Sequence, residues 1–521
     1  MKTTKILLLM LLTLSFGIVP LLFLNSSISL PVQTTSATPD GLPLNISAWE
    51  TNGTLICMAS NQQQYQQICS DGAGGAIITW EDFRNATNAN IYARRISAAG
   101  AVQWTADGVA LCTASEPQQR PQICSDGAGG AIITWQDHRN KADWEIYAQR
   151  INAAGAVQWT VDGAAVCVHS ADQEAPQLCS DGVGGAIITW QDYRNGSNYG
   201  IFAQRISGAG YTQWATFKTA ICTAINDQIS PQICSDGAGG AYITWWDYRN
   251  GAYSDIYAQR INSTGIIQWT TNGVAISTAT GDQRYPDICS EMGCAIITWA
   301  DTRSPSTLAD IYAQRISSAG AVQWTANGVA LCTAGGFQQL PQICSDGTGG
   351  AIITWDDDRT EAGYDIYTQR ITSAGAVQWT ANGVALCVLS NAQKNPQICS
   401  DGAAGAIITW EDLRSDAGDI YAQWITASGA IQWAANGLAI STMSNGQQNP
   451  QICSDGAGGA IITWKDARFY TDDDIFAQNV KTAGSSVPFP FYSVILVIGV
   501  LTTIFAVVRF KLQRINGKRQ L

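Results

Sequence analysis

Short apolar segments alternate with turn residues along most of the chain, and the whole pattern recurs every 54 to 56 residues. In one such unit, Pro-Gln-Ile-Cys begins at Pro121, residues 125–130 form the glycine-rich stretch Ser-Asp-Gly-Ala-Gly-Gly, and Ala-Ile-Ile-Thr-Trp follows. Residues 145–151 alternate apolar with polar side chains, and a fourth β-rich segment ends at Cys167. This alternation is typical of half-buried strands. Each unit therefore predicts four β-strands and no helix.

Two series of tryptophans mark the period. The first follows the Ile-Ile-Thr motif or a close copy, at Trp80, Trp135, Trp190, Trp245, Trp299, Trp355, Trp410 and Trp464. The second lies at Trp49, Trp104, Trp159, Trp214, Trp269, Trp324, Trp379 and Trp433. Eight copies of a four-stranded unit predict an all-β fold, an eight-bladed β-propeller of four-stranded antiparallel blades over residues 41–481. A linear β-solenoid is the alternative.

The two ends of the repeat are complementary. The eighth unit stops at Val480 without a fourth strand, while residues 45–57 match the fourth-strand segment of the other units. An N-terminal strand that completes the last blade would remove the open sheet edges. We therefore expect a closed ring.

The repeat also resembles a known family. Pro-x-Ile-Cys-Ser-Asp-Gly, an apolar strand, Trp-x-Asp-x-Arg and Asp-Ile-Tyr together resemble the TolB-type β-propeller repeat over about 31 of every 55 residues. The match is weakest at residues 290–294, and Cys or Ser stands where that family often has Trp-Ser-Pro. The Ser-Asp-Gly-x-Gly turn is faintly similar to the Asp-box of sialidase propellers. The resemblance implies a propeller, here in a membrane-anchored surface form, and no particular activity.

Both ends of the chain are apolar. Residues 1–30 combine a basic start with an apolar run, which predicts a signal peptide or an N-terminal anchor. Residues 489–508 contain no charge and are long enough for a transmembrane helix, preceded by a short stalk at 482–488. The basic residues of 509–521 predict a cytoplasmic C-terminus and an extracellular propeller on a single-pass cell-membrane protein.

The charge and composition of the chain limit the classes of partner that it can bind. The net charge is −12 and only 13% of residues are charged. A folded region this acidic argues against nucleic acid, which requires basic surfaces. The oligomeric state is left open.

An Asp-x-Arg pair follows each tryptophan of the first series. The pairs are Asp82 and Arg84, Asp137 and Arg139, Asp192 and Arg194, Asp247 and Arg249, Asp301 and Arg303, Asp357 and Arg359, Asp412 and Arg414, and Asp466 and Arg468. Such rings could bind a polyanion or a glycan carboxylate, but partly buried charges need partners, so a structural ion-pair ring is favoured.

Six cysteine pairs are spaced twelve residues apart. They are Cys57 and Cys69, Cys112 and Cys124, Cys167 and Cys179, Cys222 and Cys234, Cys332 and Cys344, and Cys387 and Cys399. In an extracellular protein this spacing suggests one disulfide per blade junction. Buried thiols in the core are the alternative.

No catalytic residue stands out. The chain has two histidines, His138 and His169, without a recurring nucleophile, and it lacks the Gly-x-Ser-x-Gly and His-Glu-x-x-His motifs. No metal or other cofactor is predicted. Calcium is the one ion left open, because the acidic stretches at 356–358 and 472–474 approach the density of carboxylates that it requires, although neither has calcium-loop spacing.

Variation between the units indicates a binding face. The loops after Asp-x-Arg and the stretches between the paired cysteines differ in every unit, and both should emerge on one side of the disc. Their aromatic residues are the candidate ligand contacts: Trp144, Tyr199, Tyr253, Tyr364 and Tyr470. We therefore expect an extracellular recognition or adhesion propeller that binds a glycan or a protein. An extracellular carbohydrate-active enzyme, sialidase- or glycosidase-like, and a structural envelope component are the alternatives.

Overall fold

A computed structural model describes residues 49–214, 219–304, 308–415, 417–469 and 472–482. Within these ranges all regular secondary structure is β-strand. None of the described segments is a helix able to cross a membrane. The predicted leader at 1–30, the stalk after residue 482, the membrane helix at 489–508 and the tail at 509–521 lie outside the described residues.

Each blade contains four main strands, here named from the channel outward. The inner strands are β2 (Gln63–Ser70), β7 (Gln118–Ser125), β11 (Gln173–Ser180), β15 (Gln228–Ser235), β19 (Gln283–Glu291), β23 (Gln338–Ser345), β27 (Gln393–Ser400) and β31 (Gln447–Ser454). The second strands are β3 (Ala76–Asp82), β8 (Ala131–Asp137), β12 (Ala186–Asp192), β16 (Ala241–Asp247), β20 (Cys294–Asp301), β24 (Ala351–Asp357), β28 (Ala406–Asp412) and β32 (Ala460–Asp466).

The outer half of each blade follows the same order. The third strands are β4 (Asn90–Ile96), β9 (Glu145–Ile151), β13 (Gly200–Ile206), β17 (Asp255–Ile261), β21 (Asp310–Ser317), β25 (Asp365–Ile371), β29 (Asp419–Ile425) and β33 (Asp474–Val480). The outer strands are β6 (Val109–Cys112), β10 (Ala164–Cys167), β14 (Thr219–Cys222), β18 (Val274–Ser277), β22 (Val329–Cys332), β26 (Val384–Cys387), β30 (Leu438–Ser441) and β1 (Thr54–Cys57), and blade 1 adds the short β5 (Val102–Gln103).

The ring is closed by the N-terminal strand. β1 pairs antiparallel with β33, and Thr54 lies opposite Ala477 while Cys57 lies opposite Ile475. The sheet order β1-β33-β32-β31 makes blade 8, and each inner strand contacts the inner strands of both neighbouring blades, including β31 with β2. The predicted eight-bladed propeller and its closure are confirmed, and the solenoid alternative is wrong.

The second strands form the core because blades cover them on both sides. Trp80, for example, is fully buried in the apolar cluster between blades 8 and 1. Its ring lies against Gly108, where a Cβ would come within 2.6 Å of the indole. Gly108 also has φ +92°, so the glycine that precedes seven of the eight outer strands is required both for space and for backbone conformation.

The two faces of the disc differ as the sequence predicts. Asp82 pairs with Asn90 at one end of blade 1, and Ala76 pairs with Ile96 at the other. The loops after Asp-x-Arg emerge at the first end, where the Gln118 amide donates to the Ala89 carbonyl at 2.8 Å. We call this end the variable-loop face. The opposite end, formed by the Ser-Asp-Gly turns, is the constant face.

The predicted disulfides are not supported, because all fifteen cysteines are free. Cys57 lies in the apolar cluster between blades 8 and 1, with its Sγ 3.9 Å from an Asp82 carboxylate oxygen. Cys69 lies on the other side of blade 1, in the cluster shared with blade 2. The correction applies equally to Cys112, Cys124, Cys167, Cys179, Cys222, Cys234, Cys332, Cys344, Cys387 and Cys399.

Candidate ligand site at the channel mouth

Every inner strand contains a β-bulge near the variable-loop face. In blade 1, Gln64 lies opposite Glu81 and Gln67 opposite Thr79, so two residues face Trp80 alone. The first bulge residue has a positive φ in all eight blades. These residues, which we call the bulge ring, are Tyr65, Arg120, Ala175, Ser230, Tyr285, Leu340, Asn395 and Asn449, with φ between 49° and 55°.

The conformation of the bulge ring is strained. A positive φ costs a non-glycine residue about 1 kcal/mol or more. Seven of the eight residues also precede a proline, which further disfavours helical backbone angles. Only Asn395 and Asn449 are of a type that adopts this region readily. The bulge therefore places mostly unfavourable residues at the edge of the channel, where Tyr65 is 58% exposed.

A second ring of side chains supports the first. It consists of the residue that follows each Trp of the second strand. These residues, the cap ring, are Glu81, Gln136, Gln191, Trp246, Ala300, Asp356, Glu411 and Lys465.

Several members of the cap ring accept a hydrogen bond from a bulge amide. Glu81 Oε1 accepts from the Arg120 N–H at 2.7 Å, and Gln136 Oε1 accepts from the Ala175 N–H at 3.2 Å. Gln191 and Glu411 make the same type of bond to the next blade. These four caps thus stabilise the strained amide across their blade boundaries.

A cavity of about 440 Å³ opens at the bulges of blades 1, 2 and 3. It is lined by Gln64, Tyr65, Gln67, Glu81, Gln119, Arg120, Pro121, Gln122, Ala175, Pro176 and Gln177. Amides, one phenol, one carboxyl and one guanidinium therefore converge on a space of the size that small ligands occupy.

Glu81 is the buried acid of this cavity. Only 2% of the residue is exposed, and burial raises the pKa of its carboxyl to about 7, against a partial opposing effect from the Arg120 amide, the Gln64 side chain and the Arg120 charge. The carboxyl can therefore gain and lose a proton near neutral pH.

Other sectors of the mouth have different chemistry. Between blades 4 and 5, Trp246 and Tyr285 pack edge to face with ring centroids 5.0 Å apart. In blade 7, Lys394 Nζ pairs with Glu411 Oε1 at 3.2 Å. Burial raises the pKa of the nearby Asp356 carboxyl well above its usual range. The eightfold repetition of the blades is thus lost at this mouth.

The structure divides the five predicted ligand aromatics. Trp144, Tyr199 and Tyr364 occupy equivalent, half-buried positions at the ends of variable loops. The Tyr199 hydroxyl donates to Glu174 Oε2 at 2.9 Å, next to the bulge of β11, whereas the Trp144 ring packs 4.9 Å from His138. Tyr253 is 51% exposed on its loop, and Tyr470 lies outside the described residues. The four described aromatics belong to four different blades.

The Asp-x-Arg pairs are engaged within their own blades. Asp82 accepts from Trp80 Nε1 at 2.8 Å and from Arg84 Nε at 2.7 Å, and it is fully buried. The Arg84 guanidinium lies 3.7 Å from the ring centroid of Tyr92 and donates to the Asp107 carbonyl. The same ion pair recurs in the other seven blades. These charges are saturated by structural partners.

A second set of ion pairs, which the sequence analysis missed, lies at the constant face. The aspartate of the Ser-Asp-Gly turn accepts two backbone amides and pairs with the arginine at the second-to-last position of the third strand. The pairs are Asp71 and Arg95, Asp126 and Arg150, Asp181 and Arg205, Asp236 and Arg260, and Asp346 and Arg370. In blade 7 Trp424 Nε1 donates to Asp401 instead. The signal was the joint recurrence of Asp and Arg 24 residues apart.

The bulge and cap rings were also missed. In the sequence, the bulge ring is a variable residue before an almost constant proline. The cap ring is a variable residue after a constant tryptophan. Among the described residues no group of three or more His, Cys, Asp or Glu side chains is placed to hold a metal ion.

Comparisons with known proteins concern the fold. No protein-family model matches the chain, and no curated protein sequence is detectably similar. A protein of unknown function from Dyadobacter fermentans DSM 18053 matches over 82% of this chain and 98% of its own, at 8% identity and a TM-score of 0.39. The Hadza microbial sialidase Hz136 matches over 66% of this chain and 74% of its own, at 10% identity and a TM-score of 0.37.

A third structure, a PL25 ulvan lyase bound to -[GlcA(1-4)Rha3S]-, matches over 74% of this chain and 96% of its own, at 9% identity and a TM-score of 0.43. At these identities the similarity is one of propeller fold alone. The TolB-type resemblance stays a prediction.

Proposed function

We propose that this protein binds a carbohydrate at the channel mouth of the variable-loop face. The observation that supports the proposal is the loss of eightfold repetition in the bulge and cap rings, while the tryptophans and Asp-x-Arg pairs behind them stay constant. The predicted leader and membrane helix would place the propeller outside the cell, so the natural ligand would be an extracellular glycan.

The lining of the cavity suits sugar hydroxyls. Gln64, Gln67, Gln119, Gln122 and Gln177 line it, and each amide can both donate and accept. An exposed tyrosine, Tyr65, offers a ring face on which a pyranose can stack. Apolar anchors of the kind that dominate protein interfaces are few in this cavity, which favours a sugar over a protein partner.

A glycan array probed with the full chain tests the proposal. Tyr65→Ala and Gln122→Ala should each weaken the binding of the glycan found, because one removes the stacking surface and the other a hydrogen-bonding amide. Tyr211→Ala is the matched control, since Tyr211 is a tyrosine on the constant face that is 71% exposed. Equal losses in all three variants, or no glycan bound, would contradict the proposal.

Chemical conversion of the carbohydrate is the second candidate, and Glu81 favours it. A buried carboxyl with a pKa of about 7, lining the ligand cavity, has the properties of a general acid in glycoside cleavage. Any polysaccharide bound by the full chain would be incubated with it and assayed for new chain ends. Glu81→Gln should abolish the release of new chain ends and leave binding of the polysaccharide intact. If the wild-type protein releases no new chain ends, it is a binding protein only.

A further inference from the structure

Basic side chains near the channel mouth differ in how they are neutralised. Arg284 Nη2 is 2.7 Å from Asp282, and Lys465 Nζ is 2.9 Å from Asp473. Lys394 is paired with Glu411. Arg120 makes no ion pair within the described ranges, although its guanidinium lines the cavity. It is therefore the one cation of the bulge ring, and its charge is available to a ligand.

The backbone of Arg120 is held in place. The residue has φ 53°, precedes Pro121 and donates its amide to Glu81. Four of the other bulge positions have Ala, Ser or Asn, so the bulge itself does not require a long charged side chain. Arginine at this strained position is explained if its guanidinium binds something.

We propose that the cavity selects a sugar residue that bears a carboxylate, which Arg120 binds through its guanidinium fork while Tyr65 packs against the sugar ring. This inference rests on the proposed carbohydrate function and names its ligand class. Arginine is the side chain whose geometry allows two parallel hydrogen bonds to a carboxylate.

The proton on Glu81 sets the charge of the cavity. The groups that face Glu81 are the Gln64 amide from its own blade and the Arg120 guanidinium and amide from blade 2. From blade 3, Ala175, Pro176 and Gln177 line the same space and carry no charge, and the nearby Glu174 is bonded to Tyr199. With Glu81 protonated, the cavity holds one positive charge. An ionised Glu81 would neutralise it and repel an acidic sugar.

Matched oligosaccharides test the inference. Oligomers of galacturonate, glucuronate and mannuronate would be titrated calorimetrically into the full chain, each beside its methyl ester, which keeps the sugar and removes the charge. We expect at least one acid form to bind about tenfold or more tightly than its ester at pH 6. Its affinity should fall as the pH rises past 7.

Three variants distinguish the outcomes. Arg120→Gln should remove the preference for the acid and leave ester binding intact, and Glu81→Gln should remove the fall in affinity with pH. Arg284→Gln, the control, should change neither, because that guanidinium already has a carboxylate partner. If the esters bind as well as the acids, or Arg120→Gln keeps the preference, the inference is wrong while the carbohydrate function stands. If no sugar of either kind binds, the inference is wrong, and the glycan array then decides the carbohydrate function separately.

Discussion

Replacing Glu81 with glutamine should stabilise the propeller at pH 8 and have little effect at pH 4.5. Burial raises the pKa of this carboxyl from 4.5 to about 7, so the folded protein holds the proton more tightly than the unfolded chain. The ionised form is then a cost to folding. That cost is nearly absent below pH 4.5, develops as the pH rises, and reaches about 3 kcal/mol once the pH exceeds 7.

Glutamine should keep the structural role of Glu81. Gln136 and Gln191 occupy the same position in blades 2 and 3, and their side-chain oxygens accept the bulge amides of Ala175 and Ser230 at 3.2 and 3.1 Å. Glu81→Gln therefore removes the titration and retains the hydrogen bond to the Arg120 amide. The reverse change, Gln136→Glu, is the matched control and should destabilise the protein at pH 8 alone.

Urea unfolding followed by tryptophan fluorescence at both pH values measures the difference between each variant and the wild type. Other acids also titrate in this range: burial raises the pKa of Asp255, Asp287 and Asp365 to about 6. Their contribution cancels in the comparison. A Glu81→Gln effect that is the same at pH 4.5 and pH 8, or a loss of stability at pH 8, would refute the reasoning.

Three further outcomes follow from the fold. Asp82→Asn should lower the free energy of unfolding by about 3 kcal/mol or more, because it leaves the half-buried Arg84 guanidinium without its charge partner. Asp282→Asn, at a more exposed ion pair, should lower it by less than about 1 kcal/mol in the same urea assay. Deleting residues 49–57 should expose the edge of β33, and size-exclusion chromatography should then show aggregates; a monodisperse product would argue against closure by β1. Reducing agent should leave the melting temperature unchanged because the cysteines are free, and a large drop on reduction would instead indicate disulfides. A thiol reagent at pH 8 should modify the cysteines quickly only after unfolding, since burial raises the pKa of thiols such as Cys57 to about 12.

The repeat predicts the blades because its signals are local. The spacing of the tryptophans gives the number of units, and the missing fourth strand after Val480 together with its copy before Cys57 predicts the closure that β1 makes. Strand pairing within a blade joins segments that are close in sequence, so pattern and turn chemistry suffice.

The site depends on contacts that the sequence does not encode locally. A proline after Arg120 argues against the left-handed conformation which that residue adopts, and only the strand register and the cap from Glu81 in the neighbouring blade explain it. The disulfide prediction was not supported for a similar reason. Cys57 and Cys69 are twelve residues apart in the chain, yet they lie on opposite sides of a blade.

The division between constant blades and a divergent mouth has an engineering consequence. Because a cap residue can contact the bulge residue of the next blade, as Glu81 contacts Arg120 and Trp246 contacts Tyr285, such a cap and its bulge residue form an exchangeable cassette. The aromatic cassette of Trp246 and Tyr285 could be transplanted to another boundary, and so could the acidic one of Glu81 and Arg120, without altering the indoles and ion pairs beneath. Duplication of the repeat would thus provide eight blade boundaries around one channel mouth, and the residues at each boundary could be substituted independently.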